Sequence, residues 1–402
     1  MRTIAVVTVA RSDYGIYLPV LRRIVDDPAL QLRLLVTGTH LSAEFGSTVE
    51  AIEADGFPIG DRIEMLLSSD TPTGTAKSMG LGTLGFADVY ARNRPDILVV
   101  LGDRFEMHAA VVAALPYAIP VAHIHGGELS FGAIDDALRH SITKLSHLHF
   151  TSTEAYAQRV IQMGEEPWRV TVTGAPGLDH LHALDYMDRA ALERQFNLRL
   201  DQPPVMVTFH PVTLEHGQAE AQIDAVLAAL ESITQPIVFS MPNADATGRA
   251  IGRRIAAYVE AHPKAFRADN FGTRAYFSLM KCAAVMLGNS SSGIIEAASF
   301  ELPVVNIGSR QAGRIHGANV LDTGYARADI ERAIQTALQP DFRSNLRGMQ
   351  NPYGQGHAAA LIVNALRDVL LDARLLIKRF HDLHGLEDQA AIAREASSLL
   401  RR

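Results

Sequence analysis

Several short stretches of this chain carry residue types whose spacing points to proton transfer and anion binding. The first is Gly102-Asp103-Arg104-Phe105-Glu106, which follows an apolar run at residues 97–101. A carboxylate at the mouth of a cleft can accept a proton. Asp103 fits equally well as the N-cap of the helix that follows, a frequent role for aspartate. The second stretch is His123-Ile124-His125-Gly126-Gly127-Glu128. Alternate residues share one face of a strand, so His123 and His125 are expected to point the same way. Such a pair can bind zinc, but no third ligand follows at a fixed spacing, and no metal is expected. The third, Ile134-Asp135-Asp136, opens a helix that also carries Arg139 and His140. Acids in a first helical turn often only face the helix dipole. Here Asp103, His125, Glu128 and Asp135 all follow neighbouring strand ends, as a general acid/base cluster requires.

The second half of the chain offers a different chemistry. His210 lies in Phe209-His210-Pro211-Val212-Thr213, and Asn243 and Asp245 end another strand. The sharpest local signal is Gly288-Asn289-Ser290-Ser291-Ser292-Gly293 between a strand and a helix. Hydroxyls and free amides at such a turn suit an anion. Without a Gly-Lys-Ser/Thr ending it is no triphosphate loop. Glu296, an acid in an otherwise apolar segment, can accept two hydrogen bonds from a ribose diol, or can simply face solvent. Arg310 and Arg314 lie beyond the next strand, and Arg11 follows the first. An arginine at a strand end can hold a phosphate by a bidentate contact.

The elements that must position these groups are legible as alternation. Apolar runs at 4–9, 32–36, 97–101, 121–124 and 149–151 alternate with helical pattern at 17–26 and 105–115. Short continuous apolar strands between helices indicate parallel sheets covered on both faces. The alternation breaks near residues 189–204 and restarts with strands at 205–209, 236–240, 284–287 and 303–307 and helices at 219–230, 247–261 and 292–300. The expected architecture is α/β: two doubly wound domains with a cleft between them, at 1–190 and 200–360. A helical tail at 361–402 is expected to pack back on the first domain. Ligands of open parallel sheets bind beyond the carboxyl ends of the strands, where the residues above fall.

Composition narrows the classes further. A chain of 402 residues is too long for one ordinary core. Its formal charge of −7, with no basic stripe, argues against nucleic acid. No apolar run nears the ~20 residues of a membrane helix. The N-terminal apolar run has no cleavage site and reads as the first strand, so a cytoplasmic protein is expected. The single cysteine, Cys282, rules out an intrachain disulfide and reads as part of a buried strand. The turn after the first strand lacks G-x-G-x-x-G, which disfavours a nicotinamide or flavin; no cofactor is expected.

Taken in order, the Asp103, His123–Glu128, Ile134–Lys144, His210 and Gly288–Glu296 motifs, with Arg310-Gln311 after them, resemble the hydrolysing UDP-N-acetylglucosamine 2-epimerases of sialic and legionaminic acid biosynthesis. The likeness spans residues 11–319. It implies two Rossmann-like halves of the glycosyltransferase type (GT-B-like). It implies cleavage of UDP-N-acetylglucosamine to UDP and N-acetylmannosamine through a 2-acetamidoglucal that is then hydrated. It places Asp103 and Asp135 at proton transfer, and His210 and Arg11 near the diphosphate. Ser290, Ser291 and Ser292 would hold phosphate and Glu296 the ribose. Arg104, Asn243, Asp245, Phe271, Tyr276 and Arg310 would complete the UDP site. A homodimer or homotetramer is implied. The vertebrate member carries a glutamate before the two glycines, where this chain has His125, so either His125 or Glu128 fills that role. The same departure makes a UDP-linked 2,4-diacetamido-2,4,6-trideoxyglucose the alternative substrate, and a glycosyltransferase on the same scaffold a further one.

Overall fold

The computed structural model describes residues 1–42, 48–67, 69, 71–131, 134–212, 215, 217–241, 246–268 and 270–382. Two all-parallel sheets organise it. The first contains β1 (Arg2–Thr8), β2 (Leu30–Thr37), β3 (Ile59–Ile63), β4 (Ile97–Leu101), β5 (Val121–Ile124), β6 (Leu148–Thr151) and β7 (Val170–Val172), in the spatial order β3-β2-β1-β4-β5-β6-β7. The second contains β8 (Val205–Thr208), β9 (Ile237–Ser240), β10 (Ala265–Ala268), β11 (Val285–Gly288), β12 (Val304–Ile307) and β13 (Val320–Thr323), in the order β10-β9-β8-β11-β12-β13. Both are doubly wound. Strand order reverses between β1 and β4 in one lobe and between β8 and β11 in the other, which are the switch points where open sheets hold ligands.

Helices cover both faces. Those of the first lobe are α1 (Arg11–Asp26), α2 (Val49–Ala54), α3 (Pro72–Arg92), α4 (Phe105–Ala114), α5 (Ile134–Leu145), α6 (Glu154–Gln162) and α7 (His180–Ala183); α8 (Arg189–Phe196), next in the chain, packs instead on the second lobe through Leu192. Those of the second are α9 (Ala219–Leu230), α10 (Ala246–Ala261), α11 (Gly272–Cys282), α12 (Ser291–Ile295), α13 (Arg327–Ala337) and α14 (Pro340–Asn345). The central strands β4, β5, β8 and β11 are buried along their whole length, which is why they read as unbroken apolar runs. The edge strands β3, β7, β10 and β13 do not, because one flank of each lacks a neighbour and admits polar residues.

The chain then returns. α15 (Ala358–Asp368) begins where both carboxylate oxygens of Asp179 accept the N–H groups of Ala358 (3.0 Å) and Ala359 (2.8 Å). Its residues Ile362, Val363 and Leu366 join the core of the first lobe. After α16 (Ala373–Leu376), the fully buried Arg169 donates to the carbonyls of Arg374 (2.8 Å), Leu375 (2.8 Å) and Ile377 (3.1 Å). Residues 383–402 lie outside the described ones.

Two expectations need correction. Cys282 is not in a strand: it is the last residue of α11, half-buried, and the strand begins at Val285. His125 lies beyond the end of β5 in left-handed backbone (φ 63°), so strand alternation does not relate it to His123. His123 is buried against Gly102 O (2.7 Å) and Thr143 Oγ1 (3.2 Å), and burial holds it neutral. Among the described residues no helix is long and apolar enough to cross a membrane.

Gly288 illustrates how tightly the second switch point is built. It ends β11 at φ 127°, and a Cβ there would lie 2.0 Å from Thr208 O. Gly288→Ala is expected to destabilise the chain by at least ~1–3 kcal/mol and to disturb the Asn289–Ser292 turn that follows it. Chemical denaturation would measure the loss; an unchanged midpoint would mean that β8 and β11 yield freely.

Candidate active site between the lobes

Asp103 follows β4 by one glycine. It is not a helix cap, because Arg104 occupies that position and no side chain caps α4. Its carboxylate instead accepts from Arg139 Nη2 and, at 3.3 Å, from Ser130 Oγ. Arg139 is 3% exposed on α5 and also donates to His125 O (2.8 Å) and Ser130 Oγ (3.2 Å). Its Nη1 lies 3.9 Å from Glu128 Oε2. One guanidinium thus ties together residues that follow β4 and β5. Periodicity marks Arg139 only as a helix residue. A cation on the buried stripe of an amphipathic helix is the signal that it has acidic partners.

Asp135, at the start of α5, has its carboxyl pKa raised by burial and then by the negative charge of Asp103. A carboxyl raised in this way keeps its proton to higher pH than a free one. Glu128 behaves in the opposite way. Burial pushes it up, but His125, Arg314 and Arg139 outweigh burial and hold it far below the ordinary carboxylate range. It accepts from His125 Nδ1 (2.5 Å) and Ser152 Oγ (2.8 Å).

Arg104 is already paired within the first lobe. Its guanidinium is bidentate on the fully buried Glu106 at 2.8 and 3.2 Å. Arg11 begins α1, where Asp13 accepts the N–H groups of Val9 (3.0 Å) and Ala10 (2.6 Å) and closes the turn. Arg11 Nη2 reaches Asn270 Oδ1 in the second lobe at 2.9 Å.

The second lobe presents its own switch-point residues. His210 and Asn289 follow β8 and β11 and lock together: His210 N–H donates to Asn289 Oδ1 (2.7 Å), and Asn289 Nδ2 donates to His210 O (2.8 Å). Desolvation and then Arg310 lower the His210 pKa to about 3, so the ring is neutral at neutral pH. Arg310 Nη1 and Gln311 Nε2 both donate to Asn289 O, at 2.9 and 2.8 Å. Ser290 caps α12 by accepting from Ser292 N–H (3.3 Å), with Ser291 the first helical residue. Tyr276, on α11, lies near Thr208, Ser290 and Ser292, and burial raises its phenol pKa. Phe271 is buried and packs on Phe196, ring centres 4.8 Å apart, so the structure places it in the core beside α11. Asn243, Asp245 and Thr213 lie outside the described residues.

The two lobes meet over this cluster. Arg314 Nη1 lies 3.9 Å from Glu128 Oε2. Ile315 N–H donates to Tyr156 Oη (3.0 Å), and Tyr353 Oη donates to Ile315 O (2.8 Å). Gly177 of the first lobe faces Glu296, where a Cβ would stand 3.5 Å from Oε1. Asp103, His125, Glu128, Asp135, Arg310, Arg314 and Glu296 are therefore gathered at one inter-lobe cleft. Among the described residues no three His, Cys, Asp or Glu side chains gather as a metal would require.

Glu296 supplies a pH test. Burial raises it from 4.5 to about 7, and its Oε2 is buried without a hydrogen bond to any described residue. Between those two pH values the folded chain holds this proton more tightly than the unfolded chain, so stability from this group falls as pH rises. Glu296→Gln removes the effect. The variant is expected to gain stability over wild type as pH rises from 4.5 to about 7, with a constant gap below 4.5. His40, His123 and His210 are held below their ordinary value by burial and act with the opposite sign, losing stability as pH falls below 6.5. The difference between variant and wild type cancels them. A gap that stays flat across the window would mean a Glu296 of ordinary acidity.

Two facing doubly wound lobes, acids on one and an anion-suited turn on the other, define the class of two-lobed enzymes that work on a substrate held across the cleft. The chain belongs to the hydrolysing branch of the UDP-N-acetylglucosamine 2-epimerase family, whose sequence profile matches residues 22–367. It is 37% identical over 385 residues to a Campylobacter jejuni protein named GDP/UDP-N,N'-diacetylbacillosamine 2-epimerase (hydrolyzing), covering 95% of this chain and 99% of that one. It is also 37% identical to a UDP-N,N'-diacetylbacillosamine 2-epimerase (hydrolyzing) of Legionella pneumophila, over 94% of this chain and 99% of the other. A Neisseria meningitidis serogroup B protein named UDP-N-acetylglucosamine 2-epimerase is 33% identical over 84% of this chain and 88% of its own. In fold, the chain is similar to a UDP-N-acetylglucosamine 2-epimerase from Neisseria meningitidis (TM-score 0.78, 19% identity), over 91% of this chain and 99% of that one.

Proposed function

We propose that this hydrolysing 2-epimerase acts on a UDP-linked 2,4-diacetamido-2,4,6-trideoxyglucose, releasing UDP and the free 2-epimer. The observation that carries the substrate is the near full-length similarity to the two diacetylbacillosamine epimerases. The Neisseria UDP-N-acetylglucosamine relative is less similar over a shorter span, which makes UDP-N-acetylglucosamine the second reading.

The residue roles follow from charge and place. Asp103 takes the proton from C2 as UDP leaves C1, and Asp135 returns a proton to the opposite face of C2. The raised carboxyl of Asp135 supports its part as the proton donor. Arg310, His210, Arg11 and the Ser290–Ser292 turn hold the diphosphate, Glu296 the ribose and Tyr276 the base. Positive charge and donors placed where the leaving group gains charge lower the barrier to its departure.

The test compares both UDP-sugars, and the GDP-linked diacetamido sugar, in D₂O. The diacetamido UDP-sugar is expected to give the highest kcat/KM, free UDP, and a product deuterated at C2. A higher kcat/KM for UDP-N-acetylglucosamine would favour the second reading. Release of UDP with no deuterium at C2, or an epimerised sugar still bound to UDP, would overturn the mechanism.

A further inference from the structure

Asp103 and Asp135 account for both proton transfers at C2, yet the hydrolysing reaction also adds a water to C1. That water must lose a proton as its oxygen bonds to carbon. Neither aspartate is free for the task while it serves C2.

One group at the same cleft has the geometry of a base without an assigned duty. His125 sits just past β5 at φ 63°, a backbone conformation that is uncommon for a residue with a side chain and worth explaining when it occurs at a site. Its Nδ1 is 2.5 Å from Glu128 Oε1. Glu128 is itself fastened by Ser152 Oγ at 2.8 Å, with Arg139 and Arg314 each 3.9 Å from its other oxygen. An ionised carboxylate can only accept, so a proton lies on Nδ1, and in the neutral ring the lone pair is then on Nε2. That Nε2 is buried and has no hydrogen bond to any described residue. Buried ring nitrogens ordinarily find a partner. The charged and titratable groups facing the ring are Glu128 beyond β5, His123 on β5, Arg139 on α5 and, through Glu128, Arg314 beyond β12.

We propose that His125, oriented by Glu128, is the general base for the water that adds to C1. The step rests on the hydrolysing reaction proposed above. Nε2 takes one proton from the water as its oxygen bonds to C1. The electron pair of the C1–C2 double bond forms the new C2–H bond with the proton from Asp135. His125 becomes an imidazolium paired with Glu128 and passes its proton to solvent. His125 is then a catalytic residue, and Glu128 is a positioning residue that sets the tautomer.

The experiment separates elimination from hydration. His125→Asn keeps a residue that tolerates left-handed backbone. With the diacetamido UDP-sugar, formation of hydrated product is expected to fall ~10²–10³-fold. UDP release should fall less than about tenfold, and the 2-acetamido glycal should accumulate, detected by proton NMR. Glu128→Gln should act in the same direction. In ¹⁵N-histidine NMR, wild-type His125 should show a proton on Nδ1 and a bare Nε2, and Glu128→Gln should lose that preference. UDP release and product falling together with no glycal, or a proton on Nε2 in wild type, would overturn the proposal. The tautomer is read without substrate. A wild type inactive on every UDP- and GDP-linked amino sugar would sink the substrate reading, and the tautomer would still decide this one.

Discussion

Asp103→Asn is expected to cut turnover by ~10³–10⁴-fold while leaving UDP affinity within about threefold of wild type. The asymmetry follows from where Asp103 sits. Its partners are Arg139 and Ser130, both in the first lobe, whereas the residues proposed for the diphosphate, Arg11 apart, follow β8, β11 and β12. Asparagine keeps a carbonyl oxygen for the Arg139 fork, so the local fold should survive. What it loses is the ability to take a proton. It also removes the negative charge that helps to raise Asp135, so the apparent pKa of that partner should drop. UDP release and calorimetric titration with UDP check the two halves of the expectation. An equal loss of affinity and turnover would show that Asp103 only shapes the site.

Arg139→Met is expected to lower stability by about 3–5 kcal/mol, because removing one partner of a buried ion pair leaves carboxylates uncompensated. Arg139 is 3% exposed and serves Asp103, Ser130 and the His125 carbonyl at once, with Glu128 close by. Turnover should fall at least ~10²-fold, since Asp103 and the His125 loop lose their common anchor. Lysine should rescue little: a point charge cannot reproduce a planar fork that spans several acceptors. Denaturant midpoints together with turnover measure both effects. A midpoint within error of wild type would mean that Glu128 and Asp103 are satisfied without this cation.

The architecture was legible because it depends on burial of whole strands. The runs at 97–101, 121–124 and 205–209 are apolar throughout, as only strands covered on both faces are. The strands absent from those runs are β3, β7, β10 and β13, the two edges of each sheet. Ile59-Gly60-Asp61-Arg62-Ile63 and Val320-Leu321-Asp322-Thr323 carry polar residues that a central strand would exclude. Cys282 was misplaced for a related reason: the end of α11 and the start of β11 form one apolar stretch, and periodicity cannot divide it.

The residue types of the site, their order and the rule that strand ends carry ligands were all determined by the sequence, and the family followed from them. Only the tertiary structure decided what each group does beside its neighbours. It took Asp103 from a helix cap to a partner of Arg139, turned Arg104 onto Glu106, and joined His125 to Glu128. It also brought Arg314 of one lobe to Glu128 of the other, 186 residues earlier in the chain — spacing along a chain says nothing about such a pair. The physical reason is that protonation and pairing depend on distances of a few ångströms and on exclusion of water, and both arise only when two sheets, each folded from its own segment, close on one cleft.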